Sequence, residues 1–157
     1  MKEWLGVKIS YTKAYNAKAL AMTHVNGTND DAYRLLPQCC KNLEKTNPNS
    51  ITCLERTPEN KFLRVFIAYG ASIAGFASCC PLLGLDGTHL KTQFQGILLA
   101  ATAADANGSL FPLAYAVVDA ENDDNWLWML KLVYQAIQQS TPHLLEGLDL
   151  LSPHLSF

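Results

Sequence analysis

The chain has 157 residues, a hydrophobic content of 49% and a formal net charge of −2. These values allow one packed domain, or a small core with an appendage, and exclude a disordered chain. The negative net charge argues against a strongly basic nucleic-acid-binding surface, because phosphate binding depends on cationic side chains. The sequence has no apolar run long enough for a membrane span and no signal-peptide core, so we expect a soluble, intracellular protein with no membrane partner.

The chain has five cysteines, which form two adjacent pairs and one single position: Cys39, Cys40, Cys53, Cys79 and Cys80. Adjacent cysteines rarely bridge each other and the count is odd, so no disulfide framework is indicated. The spacing is not that of zinc ligands, and a reducing compartment is the better interpretation. Cys79 and Cys80 are interpreted as buried small hydrophobic side chains.

The first part of the chain is predicted to be mainly helical. Ser10 is placed to cap a helix that ends at Asn26-Gly27. Thr28 begins a second helix, which Pro37 should kink or confine to its far end. Residues 50–56 are predicted to form a short strand.

Residues 61–76 are apolar and fit either a helix or a strand, and the glycines at positions 70 and 75 weaken both assignments. A domain boundary is predicted near residues 76–80. It divides a helical lead-in region, residues 1–77, from an α/β core, residues 78–157.

The second part is predicted to be an antiparallel meander followed by a helix. Its segments are a buried strand at 81–90, an antiparallel neighbour at 96–104, a hairpin turn at 105–108 and a third strand at 111–118. In the turn, Asn107-Gly108 supplies the positive-φ positions.

The helix after the meander is capped by Asn122 or Asp123. Its apolar stripe includes Trp126, Leu130, Val133 and Ile137. Trp126 is therefore assigned to the core. Trp128 faces elsewhere, where it could also stack on a nucleic-acid base.

Asp86 is the most informative residue, because it is a lone carboxylate near the end of an otherwise apolar strand. A charge there costs free energy unless it is solvated, paired or bound to a cation. Gly87 follows and lets another backbone approach closely. A turn residue and a metal ligand are both compatible with this pattern.

Together these segments resemble the transposase domain of Mutator-like elements, the MULE family of DNA transposases. The matching pieces are Leu85–Leu90, Leu98–Gly108, Phe111–Ala114 with Val117-Val118, Glu121 with Trp126 and Trp128, and, upstream, Val7–Ala19, Tyr33, Leu36 and Asn47–Ser50. Their order and spacing make chance similarity an unsatisfactory explanation.

The resemblance implies an α/β, RNase H-like mixed sheet and DDE-type chemistry, in which three carboxylates hold two Mg²⁺ ions that act on DNA in the nucleus. It assigns the first carboxylate, catalytic and metal-binding, to Asp86. The fold would be incomplete, with an antiparallel three-strand start and one helix after the helical lead-in.

The end of the sequence departs from the family pattern. If Ser152 takes the serine position before the second acid, Pro153 stands where that acid belongs, and Asp149 is not in register to replace it. We therefore expect a truncated transposase that is catalytically incomplete alone. The alternatives are a subunit that borrows acids from another chain and a non-catalytic interaction or DNA-binding module.

Other polar residues have two interpretations each. Glu121 is either a second metal ligand or a favourable charge before a helix, and the second is preferred because the third strand should lie away from the first. His89 should point to the opposite face from Asp86, as a half-exposed strand-end residue or a catalytic base. Lys91 is either a phosphate contact or a solvated lysine.

The strand that bears Asp86 is expected to have an open edge unless residues 148–151 pair with it. An open apolar edge favours pairing with another chain. We therefore expect marginal stability and self-association of the isolated protein.

Overall fold

The computed structural model describes residues 10–26, 29–90 and 96–141. In chain order its elements are helices α1 (Tyr11–Asn26) and α2 (Asn29–Thr46), strands β1 (Ile51–Arg56) and β2 (Phe62–Ala68), helix α3 (Gly70–Phe76), strands β3 (Gly84–His89), β4 (Ile97–Ala104) and β5 (Leu110–Val118), and helix α4 (Asp123–Ser140). The predicted α/β class is confirmed. The chain forms two compact units, Met1–Leu36 and Pro37–Phe157.

The two N-terminal helices agree with the predicted positions. The Ser10 hydroxyl accepts a hydrogen bond from the Lys13 N–H at 3.4 Å, and this contact caps α1. Pro37 lies inside α2, which is helical on both sides of it. The prediction that proline could confine the helix to its far end is therefore wrong, because the loss of one hydrogen bond is tolerated in a helix of 18 residues. Thr28 lies outside the described residues.

The five strands form one sheet in the order β1-β2-β5-β4-β3, and every neighbouring pair is antiparallel. The predicted β3-β4-β5 meander is confirmed. The ambiguous segment 61–76 contains both β2 and α3, and the β1–β2 hairpin extends the sheet from the far side of β5. The sheet thus draws two strands from before residue 78 and three from after it. Residues 148–151, the candidate pairing partner for the strand that bears Asp86, lie outside the described residues.

Strict alternation of burial divides the sheet into two faces. On β4 the buried side chains are Ile97, Leu99, Ala101 and Ala103. Leu99 packs with Met129 and Val133 of α4 in the main hydrophobic core, so we call this side the helix face. Residues between them, such as Ala100, point to the opposite side, the outer face. At β1, the Thr52 hydroxyl on the outer face donates to Glu44 in the second half of α2.

The hairpin between β4 and β5 differs from the prediction in one residue. Gly108 has a φ of 77°, but Asn107 is not among the positive-φ residues. The Asp105 carboxylate instead accepts hydrogen bonds from the N–H groups of Asn107 and Ser109, each at 2.8 Å. Side-chain bonding of this kind orders the turn with a single left-handed residue.

The cap of α4 is Asn122, whose side-chain oxygen accepts from the Asn125 N–H at 2.9 Å, as predicted. The predicted apolar stripe is wrong at Leu130, which is 39% exposed. Trp126 and Trp128 are both partly buried against the core, so the prediction that Trp128 faces elsewhere is also wrong. The reason is that β2, which is not part of the predicted meander, supplies a residue for Trp128 to pack against. The Trp128 ring contacts the edge of the Phe66 ring, with 6.3 Å between the ring centroids.

All five cysteines are free thiols. Burial raises the pKa of the Cys40 and Cys53 thiols above the usual range, which makes them poor nucleophiles. Cys79 is partly buried against the core, but Cys80 is exposed, so the prediction of a buried pair is wrong for Cys80. Within the described ranges, no helix combines the length and apolarity that crossing a bilayer requires.

Candidate functional site at strand β3

Asp86 lies in the middle of β3, and its side chain is exposed. The prediction that this strand is buried is wrong, because five of its six residues are exposed. Burial of a strand requires neighbours on its sides and faces, and within the described residues β3 has one neighbouring strand, β4. The carboxylate is therefore solvated where it stands.

The register of β3 against β4 fixes the direction of each side chain. Asp86 is opposite Ala100, and so lies on the outer face. Gly87 is opposite the fully buried Leu99, and His89 is opposite Ile97, so both of these positions belong to the helix face. The prediction that His89 and Asp86 point to opposite faces is confirmed; the imidazole is exposed at the end of the strand.

On the side away from β4, the backbone of β3 has hydrogen-bonding groups that no strand of the described residues pairs with. The Leu90 N–H donates to the Gly96 carbonyl at 2.8 Å, which makes this a hydrogen-bonded pair. Such pairs alternate along an antiparallel ladder, so the N–H and C=O groups of Leu85, Gly87 and His89 point away from β4. Among the described residues, this edge of the sheet has no strand beside it.

Glu121 reaches β3 from the loop that follows β5. A Cβ atom at position 87 would lie 2.9 Å from one oxygen of the Glu121 carboxylate and 3.1 Å from the other. The carboxylate thus occupies the space that a side chain at position 87 would fill. The third strand, β5, does lie away from β3, with β4 between them, as predicted. The loop after β5 nevertheless brings the Glu121 side chain to Gly87, so the distance between the strands does not separate Glu121 from β3.

A network of polar contacts holds the loop that carries Glu121. Arg64 on β2 forms an ion pair with Glu55 at 2.7 Å and donates to the Asn125 side-chain oxygen at 3.0 Å. Its guanidinium carbon lies 4.4 Å from the centre of the Trp128 ring. The Asn125 amide in turn donates to the Asp119 carboxylate at 2.9 Å.

Asn125 is only 4% exposed, so its contacts fix the path of the chain. It also donates to the Ala120 carbonyl at 2.8 Å, and the Trp126 indole N–H lies 3.4 Å from a Glu121 oxygen. Sequence reasoning missed both Arg64 and Asn125. A local signal existed for Asn125, because it shares the helical face of the buried Met129 and Val133.

A shallow open pocket lies on the helix face at the carboxyl end of β3. Its lining combines the end of β3, the start of β4 and the loop after β5: His89, Leu90, Gly96, Ile97, Asp119, Ala120 and Glu121. Asp86 is not among these residues. The side chains of Asp119, Glu121 and His89 therefore lie on the helix face, whereas Asp86 lies on the outer face.

The described residues do not form a complete metal centre. Within the described ranges, no group of three or more His, Cys, Asp or Glu side chains could hold a metal ion. Asp86 is a single carboxylate on the outer face, and Mg²⁺ that is bound through one carboxylate keeps most of its water ligands. This donor set does not fit two Mg²⁺ ions. Lys91, Asp149, Ser152 and Pro153 lie outside the described residues.

Part of the chain is similar to a known protein family. Residues 82–145, less than half of the sequence, match the family model of the MULE transposase domain. No curated protein and no solved structure matches the chain. The matched segment contains Asp86, the β3-β4-β5 meander and α4. Residues 82–145 are therefore similar to the MULE transposase domain, and this match supports the family resemblance found in the sequence.

Proposed function

We propose that this domain acts in DNA transposition of the MULE type, by metal-dependent cleavage and strand transfer of DNA, with Asp86 as the first metal-binding carboxylate. The observation that supports the proposal is the position of Asp86. It lies inside the matched segment and is exposed on β3, which is an edge strand of the sheet that the described residues form. An RNase H-like sheet, Mg²⁺ as cofactor, DNA as partner and a nuclear location are parts of the same proposal.

Asp86 alone does not complete such a centre, so we derive no reaction step through the metal. A further strand beside β3 would bring its own side chains next to Asp86, and this is where additional carboxylates would have to enter. Without these additional carboxylates, Asp86 forms only part of the proposed metal site. We therefore expect the chain alone to cleave no DNA.

Metal binding at Asp86 can be tested without catalysis. We expect Mn²⁺ at millimolar concentration to broaden the NMR amide signals of Gly87 and Thr88, because the paramagnetic ion would sit within a few ångströms of β3. Asp86→Asn should abolish this broadening. Asp124→Asn, which removes an exposed acid at the start of α4, should leave it unchanged. Broadening that persists in Asp86→Asn would contradict the proposed metal site.

A second candidate function is a non-catalytic interaction module. It is favoured by the lack of a three-ligand group among the described residues. A plasmid-nicking assay with Mn²⁺ separates the two candidates: nicking lost in Asp86→Asn would indicate a catalytic centre completed by a second chain. No nicking, together with no Asp86-dependent broadening, would favour the interaction module.

Self-association through the open edge of β3 is a further expected property. Leu85 is 44% exposed on this strand, and no strand of the described residues pairs with the backbone groups beside it, which could therefore pair with a second copy. We expect the sedimentation coefficient to rise with protein concentration, and Leu85→Lys to shift the population towards monomer.

Leu127→Lys is the matched control for this prediction, because Leu127 is 48% exposed on α4 and away from the edge. It should sediment like the unmodified chain. A concentration-independent monomer for the unmodified chain would disprove edge pairing.

A further inference from the structure

Helix α1 carries an exposed aromatic pair that the proposed chemistry at Asp86 does not use. Tyr11 is 84% exposed and Tyr15 is 63% exposed. Their ring centroids are 6.5 Å apart, with an angle of 24° between the ring planes. The two residues are four positions apart, so both rings lie on one face of the helix.

Charge is distributed unevenly around this pair. Residues 4–29 contain three lysines and no acidic residue, whereas the whole chain has a net charge of −2, so the remaining residues carry −5. Lys18 follows Tyr15 by three positions and therefore shares its helical face. Lys13 is also exposed but lies on the other side of the helix, two positions from each tyrosine.

We propose that the Tyr11–Tyr15–Lys18 face of α1 binds single-stranded DNA. Exposed aromatic rings stack on unpaired bases of any sequence, and a lysine beside them neutralises a phosphate. A duplex hides the faces of its bases within the stack, so the tyrosines favour a single strand over a duplex. This inference rests on the proposal that the domain acts on DNA, and it adds a docking surface for the strand.

The test measures the anisotropy of a labelled oligothymidylate with the full chain in EDTA, so that metal binding plays no part. Tyr15→Leu should weaken binding about fivefold or more, because it removes one stacking platform and keeps an apolar side chain of good helix propensity. Tyr15→Phe, which retains the ring, should bind like the unmodified chain. Circular dichroism should show the same helix content for all variants.

Lys13 and Lys18, which lie on opposite sides of α1, test whether the phosphates of the DNA contact the proposed face. Lys18→Gln should lower the slope of log affinity against log salt concentration by about 0.7, the contribution of one phosphate contact on a single strand. Lys13→Gln removes the same charge from the same helix and should change the slope less. Equal changes of the slope in Lys18→Gln and Lys13→Gln would show a diffuse charge attraction. That result would overturn the placement of the DNA on the Tyr11–Tyr15–Lys18 face.

Two further outcomes decide the proposal. Binding to a duplex that equals binding to the single strand, and that is unchanged in Tyr15→Leu, would overturn it. Leu127→Ala, at an exposed position of α4, should bind the oligonucleotide like the unmodified chain. If oligonucleotide binding is absent while Asp86-dependent Mn²⁺ broadening persists, this inference fails and the proposed function stands. If binding is present while Asp86-dependent broadening is absent, this inference stands and the proposed metal site at Asp86 fails.

Discussion

Replacement of Gly70 by alanine is expected to lower the free energy of unfolding by about 3 kcal/mol or more. A Cβ atom at position 70 would lie 2.0 Å from the backbone oxygen of Pro48 and 3.1 Å from the carbonyl carbon of Asn49. Both are backbone atoms of the turn between α2 and β1. The Gly70 N–H also donates to the Ser50 hydroxyl at 2.9 Å, so the turn cannot move away without losing this bond.

Urea unfolding measures this effect, and Gly108→Ala is the comparison. Position 108 has no heavy atom within 4 Å of a new Cβ, and its φ of 77° imposes only the strain of a left-handed residue, about 1 kcal/mol. Gly70→Ala should therefore be clearly the more destabilising of the two. Equal losses for both variants would contradict the close approach at Gly70.

Phe66→Ala is expected to lower the free energy of unfolding by about 3–5 kcal/mol. Phe66 has no exposed surface and lies on β2, where its ring contacts Trp128 of α4. Truncation would leave a cavity between the sheet and the helix, in addition to the lost transfer free energy. The loss should appear as a lower urea midpoint with little change in slope.

Leu127→Ala is the control for this core substitution. Leu127 is on the same helix as Trp128 but is 48% exposed, so its truncation should cost about 0.5 kcal/mol or less. A loss for Phe66→Ala no greater than that of Leu127→Ala would mean that the sheet and α4 do not form one core.

Local patterns were sufficient to predict the meander and the helix that follows it. Alternating apolar residues predict β4, turn residues predict the hairpin at Asp105–Gly108, and Asn122 is one of the two predicted caps of α4. Each of these signals acts over a few residues, and neighbouring strands in a meander pair with each other. The same reasoning places Asp86 on β3, but the prediction that it lies near the end of the strand is wrong, because Asp86 is the third of the six residues of β3.

The environment of Asp86 could not be predicted from those patterns. Its exposure depends on which strands lie beside β3, and the approach of Glu121 to Gly87 depends on the path of a loop more than thirty residues away in sequence. The Arg64–Asn125 bond, which helps to fix that path, joins residues 61 positions apart. A polar contact of this range leaves no local pattern.

The β1–β2 hairpin joins the sheet through residues that are distant along the chain, since Ile67 pairs with Tyr115 and Arg64 pairs with Val118. The two hairpins can each nucleate through short-range contacts, whereas the seam between β2 and β5 must close a long loop before it gains any packing energy. We therefore expect the docking of these two pieces to be slower than the formation of either hairpin. Because Phe66 and Arg64 lie on this seam, their contacts with α4 are expected to form only when the two pieces dock.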